Sequence, residues 1–165
     1  MVFHSGHSVS PDPFSKEVNS IEGVHIVPLK NVLNERGHLM EVQRNDDLNY
    51  PGFGQAYITS TKPDVIKAWY RHSKQCDQIA LVTGKLLLVL FDSRKNSPTC
   101  GKLLEITMTE QSPLLVQIPP GIWHGFKALG SVPTYLLHLN SVAFKSEQTD
   151  EDRLPSDTLT IPYQW

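Results

Sequence analysis

Two neighbouring side chains in this sequence have the types and spacing for proton chemistry, Tyr70 and His72, with Asp77 following within a turn and His124 in a second polar cluster. Imidazole titrates near neutrality and is the commonest general acid–base group. The run Val65-Ile66-Lys67-Ala68-Trp69-Tyr70-Arg71-His72 reads as a strand, on which alternate residues share a face. Strict alternation puts Ile66, Ala68, Tyr70 and His72 on one side, and Val65, Lys67, Trp69 and Arg71 on the other. With the even-numbered side turned inward, a phenol and an imidazole lie inside a barrel. The cluster Ile118-Pro119-Pro120-Gly121-Ile122-Trp123-His124-Gly125-Phe126 delivers His124 to the same interior behind a Pro-Pro-Gly corner. Imidazole and carboxylate also suit first-row metals, so His72, Asp77 and His124 are the candidate ligands if a metal is held. A lone strand histidine is more often a hydrogen-bonded core residue than a base. The second cluster shifts the reading toward a site.

Such residues must be carried on strands, and the sequence supplies them. Ile21 to Leu29 and His38 to Val42 read as strands, with Asn31 to Gly37 as a turn between them. From residue 55 onward short apolar runs follow quickly: 55–61, 65–72, 78–83, 85–91, 103–109, 114–118, 125–129 and 135–140. Turn residues separate them, among them Lys62-Pro63-Asp64, Gly84, Asn96-Ser97-Pro98 and Ser112-Pro113. Strands at roughly 8–12-residue spacing without a helical stripe predict an all-β sandwich or barrel. The expected organisation is a flexible arm over residues 1–20, a barrel over 21–144, and a tail over 145–165. The tail is expected to be extended with a short helical part. Its ending, Ile161-Pro162-Tyr163-Gln164-Trp165, is too aromatic to stay in water and is expected to pack on the barrel or a partner subunit.

Composition narrows the function classes. At 165 residues the chain suits one domain. A net charge of -2 with 15 scattered basic residues gives no nucleic-acid signal. A small anion in a local basic pocket is compatible with that balance. No apolar run approaches the roughly 20 residues of a membrane helix, and the N-terminus lacks the pattern of a signal peptide. Cys76 and Cys100 have no metal or disulfide spacing, which points to reduced thiols and a cytoplasmic location.

The order His72, Asp77, Gly84, then Pro119-x-Gly121-x-x-His124, resembles the two cupin motifs. Tyr70 stands where the first motif's leading histidine would be, one ligand short of the usual metal set. More specifically, several segments resemble the metal-independent dTDP-4-dehydrorhamnose 3,5-epimerases and their sugar-nucleotide isomerase relatives. These are Asn34-Glu35-Arg36-Gly37 with Glu41, Gln55-x-Tyr57-x-Thr59, the 65–70 strand, Gln75, Leu90-Phe91-Asp92-Ser93-Arg94, the 118–126 cluster and the closing Asp157 to Trp165. The likeness runs from about residue 21 to the end. It implies a cupin-type double-stranded jelly roll, a homodimer, no cofactor, and a dTDP-4-keto-6-deoxyhexose as ligand. In that family a histidine backed by an aspartate removes a proton beside the C4 ketone, and a tyrosine returns one from the opposite face. Donors or positive charge must then stabilise the enolate oxygen.

Carried over by position, the resemblance makes Arg36, Glu41, Gln55, Lys67 and His124 substrate-binding residues, with Arg36 or Glu41 reaching the neighbour's ligand. Asp77 replaces an expected phosphate-binding lysine. The base position holds Tyr70, and the donor position falls on Leu137, whose neighbour His138 points the opposite way. The supporting aspartate falls at Asp157, with Asp152 as the other option. His72, one strand repeat beyond Tyr70, can take over as base, with Tyr70 donating or relaying. The expected activity is that of a sugar-nucleotide epimerase or ketoisomerase using His72, Tyr70 and Asp157. The alternatives are a catalytically silent nucleotide-sugar-binding cupin and a metal-dependent cupin acting on another small molecule.

Overall fold

A computed structural model describes residues 20–165, so the expected N-terminal arm lies, except for its last residue, outside the described residues. Twelve strands follow in order: β1 (His25–Pro28), β2 (Asn31–Asn34), β3 (Gly37–Met40), β4 (Gln55–Thr61), β5 (Ile66–His72), β6 (Asp77–Thr83), β7 (Lys85–Asp92), β8 (Leu103–Thr109), β9 (Leu114–Ile118), β10 (Ile122–Leu129), β11 (Thr134–Asn140) and β12 (Glu151–Arg153). One five-stranded sheet has the order β1-β9-β6-β11-β4 and a second the order β12-β5-β10-β7-β8; β2 and β3 make a separate hairpin. Every pairing between these strands is antiparallel. This is the all-β cupin jelly roll.

The two sheets close on a core built by alternation. On β7, Leu86, Leu88 and Leu90 face inward, where they meet Ile79 and Leu81 of β6, Ile106 and Met108 of β8, and Leu136 of β11. The intervening Leu87, Val89 and Phe91 face a second apolar cluster outside the barrel, formed with Trp69, Trp123, Ile161, Tyr163 and Trp165. The run Leu86–Phe91 is continuously apolar because both of its faces are covered. Tail residues supply the outer cover. Trp165 lies 5.0 Å from the ring of the fully buried Trp69, and Tyr163 meets Trp69 edge-on at 5.9 Å.

The tail contains no helix among the described residues. Instead β12 pairs with the edge of β5, setting Glu151 opposite His72 and Arg153 opposite Tyr70. Leu154 and Trp69 then exchange both backbone hydrogen bonds, at 2.8 and 3.1 Å. Pro155 and Pro162 suit this extended course, since proline lacks the N–H a helix interior needs. The expected turn at 31–37 also differs. It contains β2, which pairs with β3 around the two-residue corner Glu35-Arg36. Strand β10 starts at Ile122, three residues earlier than expected, because the corner is complete at Gly121. There φ is +87°, and a Cβ would come within 2.8 Å of Arg94.

The feature that shapes the site is a bulge on β5. His124 of β10 pairs with Tyr70, but Phe126 pairs with Lys67, so β5 spends three steps where β10 spends two. An extra residue reverses the facing of everything beyond it. Tyr70 and His72 therefore face inward together with Lys67, whereas Ala68 joins Trp69 in the outer cluster. Strict alternation had assigned Lys67 and Ala68 the other way. Gly125 sits beneath the bulge: a Cβ there would lie 2.4 Å from that of Ala68 and 2.9 Å from the Trp165 ring. Glycine is what lets the bulge and the tail close over β10.

Candidate active site

Between the sheets lies a cavity of about 300 Å³. Lys67, Tyr70 and His72 of β5 and His124 of β10 line the second-sheet wall, with Glu151 and Arg153 of β12 at its edge. Tyr57 and Thr59 of β4 and His138 of β11 line the first-sheet wall. An adjoining cleft of about 470 Å³ shares Tyr57, His72 and Glu151 and continues past Gln55 and Asn140.

Asp77, the first residue of β6, reaches from the first sheet toward two histidines of the second. Its Oδ2 lies 3.0 Å from His124 Nε2 and 3.4 Å from His72 Nε2. All three residues are buried. Gln75 Nε2 donates to Asp77 Oδ1 at 2.5 Å and also lies 3.3 Å from His72 Nε2. His124 Nδ1 is 3.3 Å from the Ile122 carbonyl. His72 Nδ1 has no protein partner although it is buried. The nitrogen that meets the other members of the group is Nε2, against Asp77, while Nδ1 is enclosed by protein.

The loop after β5 is held by a carboxylate of the tail. The Asp150 carboxylate accepts from the backbone N–H groups of Ser73, Lys74 and Gln75 at 3.2, 2.9 and 2.8 Å. Gly121 N–H bonds the His72 carbonyl at 2.8 Å, which ties the corner before His124 to the end of β5.

Burial works against charge on Asp77, but the hydrogen bonds from His124 and His72 and their positive charge overcome it, holding its carboxyl far below the usual carboxylate range. Burial likewise disfavours His72 as imidazolium. The hydrogen bond and charge of Asp77, aided by Glu151 and Asp150, more than offset this and raise His72. His138 has no such partner. Burial, with the charges of His124 and Lys67, pushes it down to about 4 despite Asp77. Its ring stacks on Tyr57 at 4.6 Å and 8°, and its Nε2 is 3.0 Å from Thr59 Oγ1. Burial raises Tyr57 above its ordinary range.

Several sequence expectations land elsewhere. Asp157 is exposed and lines a groove outside the barrel with Ile66 and Tyr163, apart from His72. Asp152 also faces outward, paired with Arg71 at 2.7 Å. The carboxylate that meets His72 is Asp77, from the start of the next strand. Leu137 faces away from the cavity and His138 into it, because β11 alternates strictly and His138 shares its side with the buried Leu136 and Asn140. Arg36 sits at the exposed tip of the β2–β3 hairpin, and Glu41 lines a separate groove beside Gln43 and Gln117. Within one chain neither joins the cavity. Gln55 lines the adjoining cleft and accepts from the Phe144 N–H at 3.0 Å. Lys67 and His124 line the cavity itself. The first-sheet group of Tyr57, Thr59 and His138, and the β12 pair Glu151 and Arg153, carried no assigned role in the sequence reading. Tyr57 and Thr59 share a strand parity with Gln55, and that was the available signal. For His72, Asp77 and His124, one ligand atom from each lies within 4.8 Å of the others, a donor set compatible with a first-row metal.

A jelly roll with paired imidazoles and a carboxylate converging inside it is a cupin acid–base site. The model of the dTDP-4-dehydrorhamnose 3,5-epimerase family matches residues 18–165, and the chain belongs to that family. It is 36% identical over 145 residues to the spore coat polysaccharide biosynthesis protein SpsL of Bacillus subtilis, covering 88% of this chain and 96% of that one. It is 35% identical over 148 residues to the Probable low-salt glycan biosynthesis epimerase Agl13 of Haloferax volcanii, with 88% and 95% covered. The crystal structure of a dTDP sugar isomerase from Desulfovibrio desulfuricans superposes with a TM-score of 0.84 at 32% identity, over 88% of this chain and 92% of that chain. A 3'-monoepimerase from Streptomyces bikiniensis, solved with dTDP-quinovose, shares the fold at 19% identity and a TM-score of 0.78, over 88% and 76%.

Proposed function

We propose that this protein epimerises a dTDP-4-keto-6-deoxyhexose, with His72 removing the proton beside the C4 ketone. The observation that carries the reading is the buried His72–Asp77–His124 group on the cavity wall, in which one carboxylate meets the Nε2 of both imidazoles. The ketone acidifies the neighbouring C–H, and the pair to the carboxylate stabilises the imidazolium that forms. Lys67 and Arg153 supply positive charge to the cavity for the enolate or the diphosphate. Arg153 also lies over the Tyr70 ring at 5.5 Å, which favours Tyr70 as a relay on the His72 wall.

The same reading includes a homodimer and a cytoplasmic location. The β2–β3 hairpin exposes Val32, Leu33 and Leu39, and the outer face of the edge strand β4 exposes Ile58. That apolar surface favours a second copy seated there, bringing Arg36 or Glu41 to its ligand. The free Cys76 and Cys100 are in keeping with a reducing compartment. Light scattering tests the dimer, and a monomer would remove it.

Conversion of a dTDP-4-keto-6-deoxyhexose, followed by proton NMR, tests the activity. Appearance of an inverted centre supports it. Saturable dTDP binding without turnover would instead mean a silent nucleotide-sugar-binding module. The convergence of His72, Asp77 and His124 favours one further reading, a metal-dependent cupin. Stoichiometric metal, lost together with activity in His124→Ala, would select it.

A further inference from the structure

Inversion requires that the proton return from the face opposite the base, and Tyr70 shares its wall with His72. We propose that Tyr57, on β4, is the residue that returns the proton, with His138 and Asn140 positioning its ring. This inference rests on the epimerase reading above and adds the second catalytic residue to it.

The placement comes first. Tyr57 belongs to the first sheet and His72 to the second, and both line the 300 Å³ cavity and its adjoining cleft. A sugar ring between the sheets therefore meets His72 on one side and the phenol on the other. The ring of Tyr57 is fixed by its cross-strand partner His138, which pairs with it in register and stacks on it at 4.6 Å. His138 is itself held by Thr59 at 3.0 Å.

The hydrogen bonding leaves the phenol proton available. Asn140 Nδ2 donates to the Tyr57 oxygen, at a long 3.5 Å, so Asn140 does not consume the O–H. The same donor stabilises the phenolate left after transfer. A phenol is protonated at neutral pH, the state a donor needs, and its partial burial acts in the same direction. In the step itself, His72 takes the proton from the carbon, and the C–H electron pair passes into the enolate. The enolate carbon then takes the Tyr57 proton. Tyr57 is 41% exposed and regains a proton from solvent, while His72 releases its own.

Tyr57→Phe tests this in deuterium oxide with a dTDP-4-keto-6-deoxyhexose. Formation of the inverted product should fall by about a hundredfold or more. Deuterium should still enter recovered substrate with retained configuration, because His72 continues to abstract. His72→Ala should lose both. Equal dTDP affinity in wild type and Tyr57→Phe, by calorimetry, shows that the pocket is intact. Inversion at the wild-type rate in Tyr57→Phe would overturn the proposal, as would an equal loss of exchange and inversion, the mark of a merely structural role. If the wild-type protein neither exchanges nor inverts, the epimerase reading itself fails.

Discussion

The two walls of the cavity obtain their chemistry by opposite physical means. On the second-sheet wall, His72 and His124 are buried but share the Asp77 carboxylate, and pairing keeps charge stable in a dry place. On the first-sheet wall, the buried His138 and the partly exposed Tyr57 stack without a counter-ion; burial holds His138 neutral, and the phenol is neutral in its ordinary state. A base must tolerate becoming charged, and a donor must begin protonated. The paired wall fits abstraction and the unpaired wall fits return. The difference between the walls, more than any single residue, gives the cavity a direction.

The strongest way to break that contrast is to remove the base. His72→Ala should lower solvent exchange and inversion by about two to four orders of magnitude, measured by deuterium incorporation. Undiminished turnover would place the base elsewhere. Asp77→Asn should keep the shape but lose the charge that serves both histidines, with a loss on the order of a hundredfold in kcat. Asp157→Asn, outside the barrel, should leave kcat near the wild-type value; a comparable loss there would reverse the assignment of the supporting carboxylate.

Smaller effects sharpen the picture through stability. Gly125→Ala forces a methyl against Ala68 and Trp165 and should destabilise the fold by about 1–3 kcal/mol, read as a lower midpoint in urea. The smallest effect is a pH slope. His138 is held neutral, about 4 against an ordinary 6.5, so its contribution to stability is complete above pH 6.5 and declines as pH falls toward about 4. His138→Gln should flatten the fall in Tm over that window. An unchanged slope would mean that His138 takes up its proton freely in the folded state.

The strands were legible because apolar runs and turn residues are local signals. Runs 55–61, 103–109 and 114–118 correspond to β4, β8 and β9 residue for residue. His72, His124 and Asp77 were legible from spacing alone. The partner of His72 was not, because Asp77 begins on another sheet, and only the closure of the barrel brings it to 3.4 Å. The inward turn of Lys67 depends on one extra residue in β5, which alternation cannot anticipate. His138 over Leu137, by contrast, follows plain alternation along β11, on the side of the buried Leu136. Glu151 and Arg153 reached the site through pairing of β12 with a strand some eighty residues earlier, a contact without local signature. The paired wall could thus be read in part from sequence, whereas the unpaired wall needed the fold.

The most direct test of a two-walled mechanism is an early time course of the wild-type protein in deuterium oxide, with product and recovered substrate analysed separately. Abstraction at His72 and return from the opposite wall predict deuterium at the inverted carbon of the product, while recovered substrate remains essentially unlabelled. Label accumulating in recovered substrate as fast as in product would mean that one group both takes and returns the proton, contradicting the division between the walls.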